Sequence, residues 1–313
     1  MSLFFIAGVK LMKTISKPMS LFIVLFVYAA ALLAGWAVFR LLPITPLWGF
    51  LCADAAATIV VWAFGLLFKN ASMYDPYWSV APLILFLFFL TQAQTVDAAD
   101  ILYIIVFAFW GVRLTLNWIV GWQGIHHQDW RYTMLHEQNK ALWPLTNFFG
   151  INMMPTLIVF INLLPAYYSV QSSDKLSILS VIGSLVCLLA AVLQIVSDGQ
   201  MRRFRLNPDN KGANMESGLW KYSRHPNYLG EVSFWWGVYI IMLGQRPDMW
   251  WAVYAPVLMT LLFVYISIPM MEKRLLRSRP GYAAYQKTTS MLLLLPNKKS
   301  GISEEQNPDS VSL

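Results

Sequence analysis

Between Gly218 and Trp236 the chain reads GLWKYSRHPNYLGEVSFWW, a stretch crowded with groups able to do chemistry. It carries the cations Lys221 and Arg224, the imidazole of His225, the amide of Asn227, the phenol of Tyr228 and the carboxylate of Glu231. Pro226 suits the first turn of a helix, where its missing N–H has no partner to lose. In that helix Asn227, Glu231 and Trp235 recur at four-residue steps and share one face. An apolar run continues through Leu243. A carboxylate one turn inside such a helix is costly unless it faces a polar cavity. Glu231 therefore either tethers the loop and helix start or belongs to a site.

Two further stretches invite the same question. In SDGQMRRFRLNP, Asp198, Arg202 and Arg205 fall on one helical face at i, i+4 and i+7. Arginine forks match phosphates and carboxylates bidentately; the plainer reading is a cationic stop at a membrane surface. In KNASMYDPYWSVAP, Asp75 precedes Pro76 and is collared by Tyr74, Tyr77 and Trp78. An acid at the edge of hydrocarbon is a candidate proton donor, or else a helix N-cap. Arg113 follows Trp110 by three residues inside an apolar run, placed to snorkel or to pair with Asp75 or an anion. The loop Gly121–Trp143 contains HHQDWRYTML, with Arg131 and Tyr132, and is long enough for a lid or surface helix. Asp54 reads as a water-reachable acid near the end of a span.

The elements that must position these groups are membrane helices. Hydrophobic residues make up 58% of the 313 and charged ones 12%, whereas a soluble domain carries about a quarter charged residues. Apolar runs reach the roughly 20 residues that cross a bilayer. The expected fold is all-α, a polytopic transmembrane helical bundle of about eight spans. These lie near Met19–Phe39, Leu47–Phe68, Tyr77–Leu90 (a short one), Ile101–Val120, Phe148–Tyr168, Ile178–Ser197, Tyr228–Leu243 and Trp250–Pro269. With an inside N-terminus, only Arg40, Lys175 and Arg246 of the 23 Lys and Arg fall outside, which places both termini in the cytoplasm. The expected organisation is a basic cytoplasmic leader at 1–18, an extra anchor span at 19–41, a membrane domain at 42–296 and a disordered cytoplasmic tail at 297–313.

The net charge of +7 then reports orientation and contact with anionic membrane lipids, not nucleic-acid binding. Cys52 and Cys187 lie in apolar spans without metal-type spacing and read as small buried side chains. His126, His127, His136 and His225 form no metal motif, and no metal site is expected. A Gly-rich dinucleotide fingerprint is absent from the sequence. On this topology Asp75, Arg131, Asp198, Arg202, Arg205, Asn227, Glu231 and Glu272 belong to cytoplasmic helix ends, open to anionic cofactors and walled by apolar helices.

With these motifs, HPNYLGE above all, the chain resembles the steroid 5-alpha-reductase superfamily over roughly Tyr74 to Pro296, and within it the bacterial DUF1295 branch. The resemblance implies an integral protein of a bacterial inner membrane whose active site faces the cytoplasm. It implies NADPH bound among helix ends and reduction of a conjugated C=C in a lipophilic substrate that enters from the bilayer. Ser197, Asp198, Arg202 and Arg205 match the family's cofactor segment, and Asn227, Tyr228, Leu229, Gly230 and Glu231 a second one, with His225 alongside. Trp235 matches a tryptophan beside the cofactor, and Arg131 and Tyr132 an Arg-x-Tyr contact. Asp75, ahead of Val80-Ala81-Pro82, matches the substrate acid.

Trp110 stands where the steroid enzymes carry a second catalytic group, a tyrosine, so Tyr74 or Tyr77 is the candidate to fill that role. The Met19–Phe39 span is also additional to the seven spans of those enzymes. Arg224-His225-Pro226, Glu272 and Tyr282-x₂-Tyr285 also resemble isoprenylcysteine and phospholipid methyltransferases, which use S-adenosylmethionine. The sequence assigns no oligomeric state.

Overall fold

The computed structural model describes residues 15–172 and 176–297. Most of the expected basic leader, Asp174, Lys175 and all but the first residue of the expected tail lie outside these. Regular structure among the described residues is helical: α1 (Lys17–Leu41), α2 (Pro46–Leu67), α3 (Tyr77–Phe89), α4 (Ala98–Gly121), α5 (Trp130–Gln138), α6 (Met154–Val170), α7 (Ile178–Leu206), α8 (Pro226–Gln245), α9 (Tyr254–Leu262), α10 (Ile268–Ser278) and α11 (Tyr282–Thr288). Short 3₁₀ and π-helical pieces extend several of them.

Among the described residues, seven helical stretches are long and apolar enough to cross a membrane: Lys17–Leu41, Pro46–Leu67, Ala71–Gln92, Ala98–Gly121, Lys140–Val170, Ile178–Leu206 and Pro247–Ser278. The third was expected to be short. A 3₁₀ turn at Ala71–Tyr74 and another at Leu90–Gln92 lengthen it to 22 residues. The remaining expected span corresponds to the 20-residue α8, which is not among these seven; Asn227, Glu231 and Gln245 dilute its apolar run.

Helix α1 shows why these segments hold together in lipid. Its buried residues, Ser20, Val24, Val27, Ala31 and Gly35, form a stripe at helical spacing. The opposite face exposes Phe22, Leu25, Phe26 and Leu33. Such a surface is unfavourable in water, but it is what hydrocarbon requires. Small residues then set the contacts, because packing rather than the hydrophobic effect joins helices in a bilayer. A Cβ on Gly35 would lie 2.8 Å from the carbonyl oxygen of Ala53 on α2.

The described chain forms two compact units, one within residues 1–188 and 234–259, the other within 189–233 and 260–313. In the first, a Cβ on Gly237 of α8 would meet the Cys187 sulfur of α7 at 2.5 Å, and the Cys187 thiol donates to the Phe234 carbonyl at 3.3 Å. Trp110 is fully buried there, stacked on Phe234 at 4.6 Å and edge-on to Trp235 at 5.4 Å. In the second unit, a Cβ on Gly230 would lie 2.7 Å from the Ala190 carbonyl oxygen.

Candidate functional site

Asp75 is held by a turn that the sequence does not advertise. Lys69 adopts a left-handed conformation (φ 53°), and Asn70 then takes over. Its amide oxygen accepts from the Ser72 N–H at 2.9 Å, while its NH₂ donates to the carbonyls of Ile125 at 2.7 Å and His127 at 3.0 Å. The same loop returns two bonds: the Ala71 N–H donates to Gln128 Oε1 at 2.9 Å and the Asp129 N–H to Ser72 Oγ at 2.8 Å. Asp129 caps α5 by accepting from the Arg131 N–H at 2.8 Å, and it pairs with the Arg131 guanidinium at 2.8 Å. The segment expected to form a lid or surface helix is thus a helix stitched to the turn before α3.

This stitching carries Tyr132 to Asp75. The phenol donates to Asp75 Oδ1 at 2.5 Å, with Arg131 as the cation facing the pair. Burial, then the facing Asp75 carboxyl, pushes the Tyr132 phenol well above its usual pKa. Asp75 is therefore not a helix cap: Asn70 caps the turn, and α3 starts after Pro76 without a side-chain cap.

The other two candidate catalytic residues belong to separate pairs. Tyr74 bonds Thr156 at 2.7 Å, which bonds Thr58 at 2.8 Å. Tyr77 stacks on Tyr74 at 5.3 Å but donates its hydroxyl to Asp54 Oδ1 at 2.6 Å. Asp54, expected to reach water, is 4% exposed. The phenol that accompanies Asp75 is Tyr132, which sequence matching had assigned to the cofactor. Thr156 went unnoticed; its only signal is a hydroxyl within an apolar run.

In the second unit a different network forms around Glu272. Arg224 donates Nε to Oε1 at 2.6 Å and Nη2 to Oε2 at 3.4 Å, and spends Nη1 on the carbonyls of Gln286 at 2.9 Å and Thr289 at 2.5 Å. Gln286 donates to Oε2 at 2.7 Å, Tyr282 to Oε1 at 3.3 Å, and His225 Nε2 lies 3.1 Å from Oε1. The His225 ring is stacked on Tyr228 at 5.2 Å. Burial, followed by the Glu272 charge, pushes the Tyr282 phenol above its usual pKa. The network ties the start of α8 to α10 and α11. His225 and Arg224 are engaged within the protein.

Of the remaining expected cofactor residues, Arg202 and Arg205 are exposed and Asp198 partly so, on the last turns of α7. Glu231 is 4% exposed and accepts from Gln194 at 2.9 Å. The amide oxygen of Asn227 is buried without a hydrogen-bond partner. Trp235 belongs to the first unit, 1% exposed, in the aromatic cluster with Trp110, Phe107 and Phe234. Gln194 and Gln286 were missed; only the cost of an amide inside an apolar helix marks the former.

Seven apolar helices and a polar interior of acids, phenols and amides define a polytopic integral membrane protein. The chain belongs to the family described as DUF1295, protein of unknown function, which matches residues 61–289. It is similar to uncharacterized protein C594.04c of Schizosaccharomyces pombe, 24% identical over 254 residues, covering 72% of this chain and 73% of that protein. No solved structure matches.

Proposed function

We propose that this protein is an NADPH-dependent reductase of a conjugated C=C bond in a lipophilic substrate, with about eight spans, both termini in the cytoplasm and its reaction on the cytoplasmic side of a bacterial inner membrane. The observation that carries the reading is the Asp75–Tyr132 pair. An acid that accepts from a phenol at 2.5 Å is oriented by it, and in its neutral form keeps its own O–H to donate to a carbonyl oxygen. Tyr132 thereby places a phenol beside the acid, whereas Trp110, at the position of the related enzymes' tyrosine, has none.

The residues of the second unit fit a nicotinamide dinucleotide in two respects. Arg202 and Arg205 are exposed cations suited to phosphate, and the orphaned Asn227 oxygen is an acceptor awaiting a donor. When bound, the cofactor would supply hydride to the β-carbon of an enone, and a proton taken up at the α-carbon would complete the reduction. Asp75 in its acid form would polarise the carbonyl as charge develops on its oxygen, and the hydrogen bond from Tyr132 orients it before reaction. Both groups are partly exposed and so accessible to a substrate. Substitution Asp75→Asn tests this: turnover of an enone should fall about a hundredfold with NADPH affinity nearly intact. Wild-type turnover in that variant refutes the role.

The Arg224–His225–Glu272–Tyr282 network favours a second reading, an S-adenosylmethionine-dependent methyltransferase, because it gathers the residues of that resemblance. Mass spectrometry of small molecules copurified in mild detergent separates NADP(H) from S-adenosylmethionine. Cysteine labelling of residue 211 from outside the cell would overturn the orientation.

A further inference from the structure

We propose that the space between α1, α2 and α3 is a binding site for one uncharged amphiphile, a long apolar molecule ending in a hydroxyl group. The cavity measures about 70 Å³ and is partly open along one side, room for part of a slender apolar chain with the rest lying outside. Ala31 and Trp36 line it from α1, Ala57 from α2, and Ile84 and Phe88 from α3. It exists because Gly35 brings the backbones of α1 and α2 together while Ala31 and Ala57 beside it leave volume unfilled. Leu32 and Trp36 form its lip and are also 42% and 51% exposed on the apolar outer face, so the mouth opens toward hydrocarbon.

Polarity in this cavity is concentrated at one place. Asp54 lines it at 4% exposure, with one carboxyl oxygen accepting from Tyr77 at 2.6 Å. In either protonation state that carboxyl accepts a further hydrogen bond, which a ligand hydroxyl provides. Among the described residues no lysine, arginine or histidine lines the cavity. A phosphate or carboxylate headgroup would face Asp54 with no counter-charge, at a large desolvation cost. α1 and Asp54 precede residue 61, where the family match begins, whereas Tyr77 and the α3 wall lie within it.

The test uses the full chain in mild detergent and a long-chain alcohol bearing a diazirine on its alkyl part, with the matching alkane and primary amine as controls. After photolysis and digestion, label should concentrate on peptides of α1–α3 and be competed by unlabelled alcohol. The alcohol should label about tenfold more than the alkane, the scale of one buried hydrogen bond. Asp54→Leu should erase that preference, and Ala57→Phe, which fills the cavity, should cut labelling about tenfold or more. Ile84→Trp fills it from the opposite wall should Ala57→Phe fail to fold. Label spread evenly over lipid-facing residues such as Phe22, equal labelling by alkane, or better labelling by the amine overturns the proposal. The wild-type arms decide this alone, and none measures turnover, so failure here leaves the reductase reading to its own test.

Discussion

Removing the Glu272 carboxylate should reveal what the Arg224 network does for the protein. In Glu272→Ala, Arg224 loses two of its four bonds but keeps the carbonyls of Gln286 and Thr289. The Arg224 side chain is 10% exposed, so water compensates poorly. Breaking a buried pair from one side costs about 3–5 kcal/mol; the two retained carbonyl bonds reduce this to about 2–4 kcal/mol. For a chain of this size that corresponds to a fall in Tm of roughly 5–15 °C. Glu272→Gln keeps the acceptor oxygen and loses the charge, and should fall about half as far. In Arg224→Met/Glu272→Leu no charge is left unpaired, so its loss should be well below the sum of the single variants. The assay is thermal unfolding of purified protein in detergent, without added ligand. A shift under 1 °C in Glu272→Ala would refute the structural role. It would also point to the methyltransferase reading, in which the same residues are held for a ligand.

Tyr132→Phe should lower enone turnover at least about tenfold without changing NADPH affinity, read from kcat and from a binding titration; a change in affinity alone returns Tyr132 to the cofactor. Arg205→Ala should weaken NADPH about tenfold or more, the scale of one charged hydrogen bond, and the wild type should prefer NADPH to NADH by calorimetry. Gly237→Ala places a methyl 2.5 Å from the Cys187 sulfur and 2.8 Å from the Gly183 carbonyl oxygen. It should cost about 1–3 kcal/mol by overpacking, seen as a lower Tm.

The helices were legible in the sequence because hydrocarbon imposes a strong rule. Every backbone group must be satisfied internally over about 20 apolar residues, and runs such as Lys17–Leu41 satisfy it without reference to any partner. The start of α8 at Pro226 was readable for a similar local reason, the fixed φ of proline. Asp75 also stood out alone, as an acid at the edge of hydrocarbon, while Arg224 and Glu272 stood out by their motifs.

Tertiary structure decided the partners. Asp75 and Tyr132 are 57 residues apart, and Arg224 and Glu272 are 48 apart. Nothing in the spacing of Asp75 chooses Tyr132 over its neighbours Tyr74 and Tyr77. The choice comes from Asn70, Gln128 and Asp129, whose bonds fix the α5 loop on the turn and turn the Tyr132 hydroxyl toward the acid. Tyr77 points instead to Asp54, one helix away. A hydrogen bond needs its atoms placed to within a few tenths of an ångström. Composition and periodicity fix a residue's depth and face, but that last placement depends on segments distant in the chain.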